Sequence, residues 1–182
     1  MKSRKAVALL LVVGLLLMLS ACGSNGLKMS LKQIGEAVVY NRTMVGAGSL
    51  ISDNIKNTIS FENSDPNKMR YITNNLYSEE YASGFDVQIQ EGLYYDAYTE
   101  SDGKVDMRGV ICFLKFNTAE EAEAAAKLIL PELNTGTDGK AGYQLPSSAI
   151  SVRQNVVCVI ATQEPNPCFE LKRVFEDSTY VK

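Results

Sequence analysis

An unbroken apolar run from Ala6 to Leu19, interrupted only by Gly14, gives way after Cys22 to small polar residues. From Leu31 the apolar positions then recur at helical spacing. Leu31, Ile34 and Val38 share one face, and Ser30 opens a Ser-x-x-Gln capping box, so a helix is expected over about 31–44. The string "VGAGS" ends it. "SLISDNIKNTISF" carries a second, looser helical pattern. Asp65-Pro66 supplies an N-cap with proline in the first turn for a third helix, which runs to about Leu76.

Near Gly84 the period falls to two. Phe85, Val87 and Ile89 alternate with polar residues, and "LYYDAYT" continues in extended style after Glu91-Gly92, a turn or a bulge. Asp102-Gly103 is a strong hairpin signal. With those two residues as the loop, Thr99 faces Asp106, Tyr95 faces Val110 and Leu93 faces Cys112. The returning "GVICFLKF" is apolar almost throughout, as a central strand requires. Thr118-Ala-Glu-Glu121 is a second capping box, opening a helix that Pro131 is expected to stop. A short edge strand near "GYQL", a second central strand over about 150–162 around "VVCVIA", and a final helix from Asn166-Pro167 complete the chain. That last helix carries Leu171, Val174 and Phe175 on one face. The succession predicts an α+β fold: a four- or five-stranded, mostly antiparallel sheet with helices largely on one face. Two apolar strands joined by a helix make a split β-α-β, and a ferredoxin-like core with N-terminal helices is the specific version.

The first apolar run has a different purpose. Lys2, Arg4 and Lys5 precede it, and its 14 residues fall short of the ~20 a membrane-spanning helix needs. A basic start, a short apolar core and small residues before a break are the pattern of a secretory signal peptide. Leu19-Ser20-Ala21-Cys22 resembles the lipobox of bacterial lipoproteins. The resemblance covers the first 22 residues and implies cleavage after Ala21, a diacylglyceryl group on the Cys22 thiol, and acylation (palmitate-type) of the new amino terminus. It divides the chain into a signal peptide (1–21), a lipidated tether (22–29) and a single α+β domain (30–182). It also implies a protein held on the extracytoplasmic face of the cell membrane.

With the leader gone, 18 cations less Lys2, Arg4 and Lys5 leave 15 against 21 acids, a net charge of −6. Such a domain has no electrostatic attraction to nucleic acid or anionic lipid, so nucleic-acid binding is not expected and the lipid must do the anchoring. There is no histidine. The usual general base and commonest metal ligand are therefore missing, and a Ser-His-Asp or Cys-His arrangement is impossible within the chain. No cofactor or metal site is expected. Cys112, Cys158 and Cys168 remain beside Cys22. Cys168 follows the turn-like "EPNP" and can fold back to pair with Cys158; three free thiols are the alternative.

Short strings suggest chemistry that their context denies. "SDGK" at Ser101, "SDN" at Ser52 and "KAG" at Lys140 echo penicillin-recognising enzymes, but the order is wrong and Ser101 falls in a predicted turn. Asn134 to Leu145 echoes a calcium loop that lacks its closing acid. The pairs Glu79-Glu80 and Glu120-Glu121 are adjacent residues, which rarely face one another across a substrate, so no catalytic residue is assigned. The densest feature is aromatic. Tyr77, Tyr81, Tyr94 and Tyr98, with Tyr95, fall among Asn and Glu residues, a composition suited to recognising proteins or sugars. Two functions follow: a non-enzymatic module that binds an envelope protein or glycan through these tyrosines, or a small envelope hydrolase using carboxylate, Ser or Lys chemistry.

Overall fold

The computed structural model describes residues 26–41, 49–62, 89–133, 145 and 147–182. Helix α1 (Leu31–Val39) is followed by a four-residue helix α2 (Ser49–Ser52) and strand β1 (Ile55–Glu62). Strands β2 (Glu91–Ser101) and β3 (Lys104–Lys115) form a long hairpin. Helix α3 (Ala119–Leu133), strands β4 (Ser147–Arg153) and β5 (Val156–Thr162), and helix α4 (Pro165–Glu176) complete the domain. The strands form one antiparallel sheet in the order β1-β2-β3-β5-β4. The fold is α+β, as expected. The helix between β3 and β4 crosses over β5, so a split β-α-β is present. Among the described residues the succession is α-α-β-β-β-α-β-β-α, whose last five elements match the first five of a ferredoxin-like β-α-β-β-α-β.

Local chemistry explains most of the boundaries. The α1 capping box is complete: the Ser30 amide donates to Gln33 Oε1 at 2.9 Å, and the Gln33 amide donates to Ser30 Oγ at 3.3 Å. Thr118 caps α3 by accepting from the Glu121 amide at 3.2 Å. Asp102 and Gly103 both have positive φ, 54° and 72°, the geometry of the two-residue turn that Asp-Gly favours.

Three expectations are corrected. The second helical pattern yields only α2; "IKNTISFE" is strand β1, where Ile55, Ile59 and Phe61 alternate against polar residues and β-branched side chains favour extension. Pro131 does not stop α3, which continues to Leu133. Proline removes one backbone donor, and near a C-terminus that costs a single hydrogen bond. The single strand over 150–162 is two strands, β4 and β5, folded at Gln154-Asn155 with Gln154 at φ 50°. The edge strand is thus β4; the "GYQL" segment and the 65–76 helix lie outside the described residues apart from Leu145, which is in neither helix nor strand.

The hairpin register is also corrected, by a bulge. Thr99 pairs with Asp106 as expected, but the ladder shifts between Ala97 and Tyr98, so Tyr95 pairs with Ile111 and Leu93 with Phe113. Arg108 is the extra residue. A bulge bends the strand locally and re-aims a side chain.

The sheet buries both faces. On one, α1, α2 and α4 cover Leu93, Tyr95, Phe113, Cys158 and Ile160. Tyr40, Tyr95, Phe113 and Phe175 run across it as successive ring contacts, with centroids 6.3, 6.4 and 5.9 Å apart. A Cβ at Gly35 would run into the Tyr95 hydroxyl, so the glycine lets α1 approach β2. On the other face α3 presents Ala122, Ala125 and Ala126 to Cys112, Leu114, Val157 and Val159. Helices lie largely on one face, with α3 the exception.

The chain enters the domain earlier than the tether reading implies. Leu27 is buried, and its amide donates to Asn155 Oδ1 at 3.2 Å. Asn155 Nδ2 donates to the Phe116 carbonyl at 2.8 Å, while the Phe116 amide donates back to the Asn155 carbonyl at 2.8 Å. One turn residue therefore joins the incoming chain, the end of β3 and the β4–β5 turn. Residues 26–29, read as tether, belong to the packed body.

Candidate functional site

The opposite end of the sheet is built differently. β3 pairs with β5 only from Gly109 to Lys115, and β1 pairs with β2 only as far as Ala97. The hairpin from Tyr98 to Met107 therefore projects beyond its neighbouring strands among the described residues. Its base is held by two backbone hydrogen bonds: Tyr98 N–H to the Asn54 carbonyl at 2.9 Å, and Gln163 N–H to the Arg108 carbonyl at 3.0 Å.

Between those two attachments lies a cleft of about 240 Å³. Helix α2 and the turn after it supply Ile51 and Asn54, the hairpin supplies Thr99 and Arg108, and the β5–α4 turn with the first turn of α4 supplies Gln163, Glu164 and Pro167. The bulge turns Arg108 toward this side. Its guanidinium contacts Asp106 at 2.9 Å and the side chain remains 37% exposed, so it is oriented without being hidden. Ile51 and Pro167 furnish the apolar part of the wall.

The first turn of α4 meets the cleft but makes a poor anion site. Glu164 at its N-cap gives no side-chain cap, and Pro165 and Pro167 lack amide donors, so two of the usual orphan N–H groups are missing. Thr162 Oγ1 donates to the Glu164 carbonyl at 2.6 Å, which fixes the turn. Among the described residues Glu164 is the single carboxylate in the lining, with Asp106 held by Arg108 beside it, so these residues assemble no two-acid arrangement of the glycosidase kind. What the cleft offers is hydrogen bonding from amides, a hydroxyl and one guanidinium over a small apolar floor. Its volume is below the ~300–1,000 Å³ usual for small-molecule pockets, and matches a single inserted side chain better.

No family model, curated protein or solved structure matches the chain. Its chemistry must therefore be read from its own residues.

The tyrosines expected to form a binding surface are divided. Tyr94 is 3% exposed and donates to the buried Asp96 carboxylate at 2.6 Å, so it belongs to the core under the α3 face. Tyr95 is buried on the opposite face. Tyr98 is half-buried, packed against the same core as Tyr94. Tyr77 and Tyr81 lie outside the described residues, as does Cys22. A strand alternates its faces, so consecutive tyrosines cannot share a platform, and sheet packing has claimed this pair.

Of the two alternatives for the cysteines the structure has the free thiols: Cys158 and Cys168 are unbonded in one core, on β5 and α4, and Cys112 is buried on the other face. Burial pushes the Cys112 thiol far above its ordinary range, and burial likewise raises Cys158, with Cys112, Cys168 and Glu176 adding to it. Such thiols are inert small hydrophobes. Ser101 and Lys104 face one another across the turn, which leaves no helix to present a Ser-x-x-Lys nucleophile. No cluster of three metal-binding side chains occurs among the described residues, and none of their helices is long and apolar enough to cross a membrane.

Sequence reading missed Arg108, Gln163 and Asn155. Arg108 had no visible signal, because the bulge exists only once β2 and β3 are paired. "RQN" between two apolar β-branched runs did mark a turn, and Asn155 is the kind of residue that a turn selects.

Proposed function

We propose that this chain is a lipoprotein anchored through Cys22 on the extracytoplasmic face of the cell membrane, whose domain is a non-enzymatic module binding a protein partner of the envelope. The observation that carries the binding half is the cleft at the base of the projecting hairpin, where Arg108, turned out by the bulge, sits with Thr99 and Gln163. A cleft of this size takes one side chain of a partner, while Ser101 and Lys104, exposed on the same face of the hairpin as Thr99, extend the contact surface beside it. Interfaces concentrate their energy in such central anchors, and arginine is among the residues enriched there. This favours a protein over an extended glycan, and hydrogen-bonded recognition over hydrolysis.

The anchoring half rests on the basic, short-apolar, Leu-Ser-Ala-Cys order of residues 2–22. Buried acyl chains contribute about 0.8 kcal/mol per CH₂, and two chains suffice for stable attachment without a basic patch.

Both halves are tested in intact cells. A photo-crosslinking side chain at Lys104, exposed on the cleft face of the hairpin, should trap a discrete protein, and the same group at Glu123, exposed on α3, should not. Equal adducts from both positions, or none from Lys104, would remove the binding reading. Cys22→Ala protein recovered in the same membrane fraction as wild type would remove the anchoring reading.

A further inference from the structure

The lipid-anchor reading fixes a point on the chain, and the structure fixes where that point leaves the domain. Only four residue steps separate Cys22 from Gly26, which span at most about 14 Å fully extended. Gly26 lies against the Asn155 side chain: a Cβ built on it would stand 3.1 Å from both Asn155 side-chain polar atoms. Leu27 beside it is buried and bonded to Asn155. The tether is thus not free to emerge elsewhere. It leaves from the β4–β5 turn, at the end of the sheet where β3 finishes and the carboxyl terminus returns, since the Lys182 amide contacts Met29 Sδ at 3.1 Å.

We infer that the domain stands on the bilayer through this Asn155 end, with the projecting hairpin and its cleft facing away from the membrane. The surface it meets is a lipid headgroup layer, and the inference rests on the lipoprotein reading above. Strand length sets the scale. The 12 residues of β3 run from the hairpin turn to the Asn155 end, about 35–40 Å at ~3.3 Å per residue. A tether of about 14 Å on the near end keeps that end at the surface and lets the far end project. Charge does not set the orientation. Lys28, Lys115, Arg153 and Lys182 near this end are offset by Glu62, Glu91, Glu121 and Asp177, so anionic lipid has no net patch to attract. Asn155 acts as a positioning residue. Without its side chain the Gly26–Ser30 segment keeps only the packing of Leu27 and Met29, and each time that segment lifts off, the tether doubles in length.

The test uses full-length protein processed and lipidated in cells, then reconstituted into phosphatidylcholine vesicles carrying a headgroup quencher. One thiol-reactive fluorophore is placed at Asn117→Cys, on the exposed turn after β3, and in a second sample at Val105→Cys. The native thiols Cys112, Cys158 and Cys168 are buried and take no label. Quenching should be several-fold stronger at position 117 than at 105, with an unchanged ratio when anionic lipid is added. In Asn155→Ala, and independently in Leu27→Ser, the ratio should move toward one while hydrogen exchange at the backbone amide of position 27 accelerates. A mass spectrum of each sample reports the lipid on Cys22. Lipid present with equal quenching at both positions overturns the orientation and leaves the anchor intact. A ratio that appears only with anionic lipid overturns the tether as its cause. Absence of lipid removes the anchor reading and the orientation together.

Discussion

The two ends of the sheet use their polar groups in opposite ways. At the Asn155 end they are turned inward: one buried amide bonds both the entering chain and the end of β3, and Arg153 donates to the carbonyls of Phe175 and Val181 at 3.0 and 2.8 Å. At the hairpin end Arg108, Thr99 and Gln163 surround a cleft, and the strand pairing stops short of them. The first arrangement stabilises; the second leaves polar groups available to a partner. Buried polar groups hold structure because leaving them unpaired is costly, whereas exposed ones lose little when removed.

The sharpest way to break this contrast is Asn155→Ala. It leaves the buried Leu27 amide and the Phe116 carbonyl without partners, and at ~1–3 kcal/mol each the loss should be about 3 kcal/mol in urea unfolding. A loss below about 0.5 kcal/mol, the range of an ordinary surface change, would erase the distinction between the ends. Alkaline pH probes the packed body between them. Tyr95 is pushed up to about 12, chiefly by burial, with Tyr40 and Glu36 adding repulsion. Its unfolded value is near 10, so the folded state favours the neutral phenol and stability should fall as pH rises from about 10 through 12. Tyr95→Phe should flatten that decline; an unchanged slope would mean that Tyr95 is not its source.

Arg153→Ala comes next, at about 1–2 kcal/mol, because a half-buried cation bonded to two carbonyls is only partly screened. Ser30→Ala should cost about 1 kcal/mol through loss of the α1 cap, read from the shift in urea midpoint. Smallest of all for stability is Arg108→Ala at the open end, within about 0.5 kcal/mol for an exposed ion pair. Yet that variant should lose most of the crosslinked partner trapped from Lys104. A large stability loss with partner capture intact would reverse the roles assigned to the two ends.

How much of this was legible varies with the range of the interaction. The α1 and α3 caps, the Asp102-Gly103 turn, the apolar central strands and the buried face of α4 could all be read from residues within a few positions of one another. Strand β1 was misread because Ile51, Ile55 and Ile59 recur every four residues and so fit a loose helical period, and only pairing with β2 selects extension. The two strands 147–153 and 156–162 appeared as one because Gln154 must take positive φ, a conformation that its side chain does not advertise. The tyrosine surface failed for a related reason. Composition shows how many rings a strand carries, while the sheet decides which core each one enters.

The sequence by itself determined the local elements, the acidic histidine-free chemistry and the order of residues that makes Cys22 a candidate lipid acceptor. These depend on capping, periodicity and composition, which act over one or two turns of chain. The tertiary structure alone decided the bulge that turns Arg108 to the cleft, the burial of Tyr94 and Tyr95 on opposite faces, and the bond from Leu27 to Asn155 across 128 residues. Contacts at such separations form only when the sheet has closed, so no neighbouring residue in the chain announces them.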